Sequence, residues 1–297
     1  MNFRDRVLKK RTILLDGGFG SALLARGLPR GVAPESWTIE RRDAVVEVHR
    51  AYVEAGSEAI HTSTFGANPI RLRGYGLSDR CDEINRAGVE LARQAGARFV
   101  IGDVGPTGEY LPPVGKGDPV AWRESFAGQG KSLAEAGVDA FHVETMSDLR
   151  EARIALEALL ESGSGIPILV SMTFEKKKSG FFTVMGNPLV ESLAELAAAG
   201  ALAVGANCSV ASSEMKEMMI EASRCGAPLV AQPNAGAPVV GEDGVPRYRQ
   251  APDDFASDME SVAESGVVLV GGCCGTDERF IAALAARMKR NRERAHE

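Results

Sequence analysis

Of the five cysteines in this sequence, three stand where thiol chemistry is possible. Cys208 lies in GANCS, and the pair Cys273–Cys274 lies in GGCCGT, 65 residues further on. No local zinc-finger spacing covers that separation, so the sulfurs meet only if the fold brings their segments together. If it does, three thiolates can hold one tetrahedral Zn²⁺ per chain and keep the fourth position open, as a catalytic zinc does. Sulfur donors favour zinc over magnesium or calcium. Three anionic ligands outweigh the two charges of the metal, which leaves a modest Lewis acid, better suited to binding an incoming thiol than to activating water. A free thiol is only a few per cent thiolate at neutral pH, whereas a coordinated one is deprotonated outright. The chemistry this suggests is alkyl transfer to a thiol. Cys81 and Cys225, on helical segments, read as small buried hydrophobes, and a vicinal Cys273–Cys274 disulfide would need an oxidising compartment.

Elements that could position such a site recur along the chain. Short β-rich apolar runs at 13–18, 59–65, 99–105, 140–146, 168–174, 202–208, 229–234 and 267–273 alternate with Ala/Leu/Glu-rich helical segments. Several of these segments end in a glycine suited to a left-handed cap: Gly56, Gly96, Gly137, Gly200 and Gly266. Eight strand–helix units in strict alternation predict an α/β protein with a parallel sheet and right-handed crossovers. Eight is the number that closes a (β/α)8 TIM-type barrel, and an open doubly wound sheet is the alternative. No linker-like stretch divides the chain, so it reads as a single domain over 1–297. A plug helix occupies about 1–10, the barrel about 11–290, and the basic segment 287–294 is the solvated end of the last helix. In such a barrel the site lies at the C-terminal strand ends. Those ends carry Asp16, Thr62, Thr64, Asp103, Glu144, Thr173, Asn207, Cys208, Asn234, Cys273 and Cys274.

Composition removes several classes of function. The 297 residues include 34 Lys+Arg against 40 Asp+Glu, a net charge of −6 that gives no basic face for nucleic acid. With 44% hydrophobic and 25% charged residues the chain is not disordered. No apolar run approaches the roughly 18 residues that span a bilayer, and the polar start MNFRDRVLKKR lacks a signal-peptide core. A cytoplasmic protein without membrane contact is expected, and an odd number of cysteines is a poor disulfide framework.

Read together, DGGFGS at 16–21, HTSTFGAN at 61–68, GDVGPTGEYLPP at 102–113, VETMSDL at 143–149, VSMTF at 170–174, GANCS, QPNAG at 232–236 and GGCCGT form a recognisable series. The chain resembles the homocysteine S-methyltransferase family, in particular the homocysteine-binding module of cobalamin-dependent methionine synthase, from about residue 11 to residue 285. The resemblance implies zinc on Cys208, Cys273 and Cys274, and homocysteine as the thiol substrate. It also implies that Asp16 and Glu144 receive the substrate ammonium and that backbone amides near Gly17 and Gly18 receive its carboxylate. Asn234 matches a position that can lend an amide oxygen as fourth zinc ligand, and Thr62 and Thr64 are further substrate-facing hydroxyls.

Two features depart from relatives. Betaine-using members carry tyrosines where this sequence has Gly66 and Thr145, and a quaternary ammonium would want that aromatic cage. The segment EKKKSGFFTVMGN at 175–187 replaces a Gly-Thr-rich turn; it is either a docking surface for a protein-bound methyl donor or a solvated lysine run whose phenylalanines cover the barrel mouth. Full methionine synthases continue into folate and cobalamin modules, and no DxHxxG corrinoid motif appears here. Methylcobalamin is therefore expected on a partner protein or module, not on this chain alone. S-methylmethionine as a direct methyl donor, another thiol acceptor, and a non-catalytic zinc protein are the alternatives.

Overall fold

The computed structural model describes residues 1–241 and 246–294. Eight parallel strands form one sheet: β1 (Ile13–Leu14), β2 (Ala59–His61), β3 (Phe99–Val104), β4 (Ala140–Met146), β5 (Ile168–Met172), β6 (Ala203–Ala211), β7 (Leu229–Asn234) and β8 (Leu269–Val270). Their order is β1-β8-β7-β6-β5-β4-β3-β2. The remaining seam, between β1 and β2, is bridged by Glu58 N–H donating to the Leu14 carbonyl at 2.8 Å and by Ser57 Oγ donating to the Leu15 carbonyl at 3.0 Å. A nearly closed (β/α)8 barrel results, and an open sheet is excluded.

Each strand is followed by helix, as the alternation predicts. The N-termini are capped by residues suited to it: Asp118 accepts Val120 N–H before Pro119–Ala136, and Asp148 accepts Arg150 N–H before Leu149–Glu161. Gly137 closes the first of these at φ 90°, a conformation that costs other residues a Cβ clash.

Two apolar layers hold the barrel. Inside its lower half Ile13, Leu15, Ile101, Leu169, Val230 and Leu269 pack on one another, and Phe3 and Val7 of the helix Phe3–Leu8 join them from below, Phe3 edge-on to Phe99 at 5.4 Å. Outside, the helices bury their apolar stripes against the sheet. Strand contact is so close at β6 that a Cβ on Gly205 would lie 1.9 Å from the Val230 carbonyl oxygen. Gly205→Ala is accordingly expected to lose at least about 1–3 kcal/mol of stability, seen as a lower urea midpoint with an unchanged slope.

At the segment 175–187 the chain forms a hairpin, Glu175–Lys177 against Gly180–Phe182. Phe181 is buried in the core, while Lys176 and Lys177 are exposed and paired with Glu217 and Glu175. Phe182 is half-buried, and neither phenylalanine lines the cavity at the barrel mouth. Among the described residues no helix is long and apolar enough to cross a membrane.

Candidate active site

Where the upper ends of the strands leave the ladder, the backbone turns abruptly. Cys208 and Ser209 hold φ of 57° and 54°, and Thr145 holds 60°. Each coincides with a slip in strand register, between Asn207 and Ala211 on β6 and between Val143 and Met146 on β4. Left-handed backbone at non-glycine residues costs energy and persists where the surroundings impose it, typically at functional sites. Its effect here is to turn the Cys208 side chain out of the strand alternation toward β8.

Cys208 Sγ lies 3.9 Å from Cys274 Sγ, and the three sulfurs of Cys208, Cys273 and Cys274 all lie within 4.8 Å of one another. The turn after β8 makes the vicinal pair converge. Cys273 N–H donates to the Pro233 carbonyl at 2.8 Å, and the Cys273 carbonyl accepts Thr276 Oγ1 at 2.7 Å. That turn needs Gly272, because a Cβ there would lie 2.3 Å from Thr276 Oγ1. Hydrogen bonds from the Cys273 and Cys274 thiols draw Cys208 down to about 3. Sharing with Cys208 pushes Cys274 up to about 11 and raises Cys273 as well. By contrast, burial pushes Cys81 up to about 11, and it donates to the Ala67 carbonyl, a structural thiol. Asn234 stands beside the cluster, hydrogen-bonded to Cys208, and its buried Oδ1 has no hydrogen-bond partner among the described residues. Three converging thiols with a spare amide oxygen match a tetrahedral soft-metal donor set.

These sulfurs form one wall of a cavity of about 450 Å³, whose other walls include Thr62, Thr64, Glu35, Arg71, Asp103 and Glu144. Burial pushes the Glu144 carboxyl up to about 7, opposed by the nearby His61 ring. Burial raises Asp103 and Glu35 too, and Asp103 Oδ1 has no hydrogen-bond partner among the described residues. Buried acids on one wall and thiols on the other can bind a guest that carries both an ammonium and a sulfur.

The remaining residues singled out from the sequence divide by what already occupies them. Asp16 is buried behind the cavity wall, its two oxygens accepting His61 N–H at 2.8 Å and facing His61 Nδ1 at 2.6 Å. The Gly18 amide is spent on Thr276, and a Cβ on Gly17 would lie 2.8 Å from the Thr276 carbonyl oxygen. No hydrogen-bond acceptor among the described residues is found for the Gly17 amide, nor for those of Phe19 and Gly20, which line the cavity at the start of the helix Phe19–Ala25. Thr62 and Thr64 face each other at 2.6 Å; Thr64 donates to the Asp103 carbonyl and Thr62 accepts Asp103 N–H, so both hydroxyls brace β2 to β3.

Sequence reasoning did not single out Glu35, Arg71 or Tyr248. Glu35 Oε1 accepts Gly66 N–H at 2.6 Å, and Arg71 lies 5.3 Å over the Phe65 ring. Tyr248 bonds to Cys274 through its hydroxyl and packs on Gly275. All three come from loops or short helices without local motifs. Asp103, at a strand end, carried the positional signal.

The fold and the site define a (β/α)8 barrel with a three-thiol pocket at its C-terminal mouth. The sequence profile described as homocysteine S-methyltransferase matches residues 13–288, and the chain belongs to that family. It is 32% identical over 307 aligned residues to the methionine synthase of Mycobacterium tuberculosis, covering 96% of this chain and 25% of that protein. With the methionine synthase of Mycobacterium leprae the identity is 31%, over 95% of this chain and 25% of the relative. The chain thus spans about a quarter of the length of these curated relatives. Among solved structures, the metallated form of the homocysteine methyltransferase MmuM from Escherichia coli matches with a TM-score of 0.78 at 27% identity, covering 95% of this chain and 98% of that one.

Proposed function

We propose that this chain transfers a methyl group to the thiol of homocysteine, giving methionine, with the methyl group delivered by a methylcobalamin-carrying partner protein or module. The observation that carries this reading is the convergence of Cys208, Cys273 and Cys274 beside the Asn234 Oδ1, which has no hydrogen-bond partner among the described residues, across one cavity from Glu144. Those three sulfurs, with the Asn234 oxygen as a displaceable fourth donor, would hold Zn²⁺. When bound, zinc would supply the thiol's deprotonation at neutral pH. Glu144 accepts from the substrate ammonium, and amides of the turn at 17–20, among them Gly17, donate to its carboxylate. Asp16 acts from behind, by fixing His61 and the β1–β2 seam. Thr62 and Thr64 shape the floor between them. The new bond joins the methyl carbon to the homocysteine sulfur, and the methyl leaves its donor with the bonding pair staying on that donor.

A small sulfonium such as S-methylmethionine is the second reading of the donor, and one observation favours it. Asp103 and Glu35 are further acids on the cavity wall, beyond the one the homocysteine ammonium needs; burial favours their neutral forms, and a cationic donor would favour the ionised ones. The purified protein, offered homocysteine with methylcobalamin, S-methylmethionine and betaine in parallel, is expected to form methionine with one of the first two and not with betaine. Metal-edge X-ray absorption should gain a sulfur neighbour when homocysteine is added. No methionine with any donor, together with no new sulfur neighbour, would refute the reading.

A further inference from the structure

Beneath the cavity floor a row of polar side chains crosses the barrel interior from β1 toward β6. Asp16 Oδ1 faces His61 Nδ1 at 2.6 Å, His61 Nε2 faces His142 Nδ1 at 2.8 Å, and His142 Nε2 faces Ser171 Oγ at 2.9 Å. Ser171 Oγ then lies 2.7 Å from Asn207 Oδ1. Every member of this row is buried.

The far end is fixed by Thr145. Its backbone N–H can only donate, so the Asn207 atom 2.8 Å away is the oxygen, and Asn207 Nδ2 donates in turn to Thr145 Oγ1 at 2.7 Å. Asn207 Oδ1 therefore takes the single hydroxyl proton of Ser171, and Ser171 Oγ must accept from His142 Nε2–H. The near end is an ionised carboxylate, which only accepts, so His61 Nδ1 carries a proton as well. Four hydrogen bonds separate two accepting ends, and each needs one proton. Two neutral imidazoles and one serine bring three. With only three, His61 Nε2 and His142 Nδ1 would point lone pairs at each other across 2.8 Å.

We infer that His61 and His142 together hold one additional proton, a buried imidazolium–imidazole pair that offsets Asp16 and supports Glu144 from below the pocket floor. The proton resides on the rings because imidazole is more basic than a carboxylate. Asp16 and Glu144 raise His61 against its burial, whereas burial and the His61 charge hold His142 down, which matches one charged ring beside one neutral ring. The titratable groups facing the pair are Asp16, Glu144 (its Oε2 3.7 Å from His142 Nδ1), Asp103 and His49, and burial holds His49 neutral, near 4. A tetrahedral metal between the two nitrogens would hold them roughly 3.3 Å apart, wider than they stand. His61 and His142 are positioning residues. Their effect on homocysteine rests on the proposed function: the pair keeps the Glu144 carboxylate charged toward the substrate ammonium.

Ring ¹⁵N spectra of histidine-labelled protein test this without reference to activity. The pair is expected to show three protonated nitrogens and one bare one, unchanged between roughly pH 6 and 9 while an ordinary histidine titrates near 6.5. Two bare nitrogens at neutral pH, or a titration like that of a free histidine, would overturn the inference. So would a second equivalent of bound zinc that is lost in His142→Gln. In kinetics His142→Gln is expected to raise the KM for homocysteine roughly fivefold at neutral pH with kcat little changed, as expected if the Glu144 carboxyl rises by about one unit. An unaltered KM would sever the pair from substrate binding. Should the protein prove inactive toward homocysteine, the spectra still decide the proton count.

Discussion

In Cys273→Ala, retained zinc and methyl transfer are both expected to disappear. Cys273 is the central sulfur: it donates toward Cys208, its amide is anchored on Pro233, and its carbonyl organises the Thr276 turn. Removing its sulfur leaves Cys208 and Cys274 with the Asn234 oxygen, too few soft donors for a tight site. Loss of an orienting group around a metal typically costs 10–100-fold in affinity or activity, so loss of a direct donor should exceed about a hundredfold in kcat/KM. Metal content by mass spectrometry and methionine formation measure the two losses separately. The variant should stay folded, because the sulfur lines a cavity and not the apolar core. Normal turnover in metal-free Cys273→Ala would end the thiolate-metal reading.

Glu144→Gln should act on binding. Exchanging the carboxylate for an amide removes a charge-assisted contact to the ammonium, worth about 1.5–3 kcal/mol, or roughly 10- to 100-fold in the KM for homocysteine. The same carboxyl predicts the pH response. Burial raises it from 4.5 to about 7, so below that pH it is mostly protonated and loses the negative charge that attracts an ammonium. The homocysteine KM should therefore rise as pH falls through about 7, and Gln at this position should flatten that limb of the profile. For stability the sign runs the other way. A carboxyl raised in the folded state contributes stability that is lost as pH climbs from about 4.5 to about 7, so the unliganded protein should weaken over that window through this group. Homocysteine should restore part of the loss, since its ammonium favours the ionised form. Thermal melts with and without homocysteine at the two ends of that window measure both effects. A KM independent of pH in the unaltered protein would remove Glu144 from the ammonium site.

How the sequence-level expectations fared depends on whether each rested on local pattern. Alternating apolar runs and helical stripes gave eight units, and eight parallel strands close to a barrel for the same reason in any such chain. Strand lengths were less legible. The run at 13–18 is regular strand only at Ile13–Leu14 and that at 267–273 only at Leu269–Val270, although single backbone hydrogen bonds such as Gly272 N–H to the Asp16 carbonyl carry the contact on toward the mouth. The cysteines were legible because their residue type is scarce and each stands at the end of an apolar run. Asp16 shows the opposite case. Its position at a strand end marks it as facing the mouth, and closure of the barrel also puts His61 against it, one contact on each carboxylate oxygen, which the sequence alone does not show.

The order of residues thus determined the barrel, the site's end of it and the three sulfurs, since periodicity and strand-end position are properties of neighbours along the chain. Only the assembled barrel decided which groups are already engaged, that Glu35 and Arg71 reach the cavity, and that Cys208 and Thr145 adopt left-handed backbone to complete it. The paired histidines belong to this second kind: 81 residues separate them, and they meet because β2 and β4 bring their rings together in the same barrel interior. Contacts of this sort depend on sheet register and on how the whole core packs, and no short stretch of sequence encodes either.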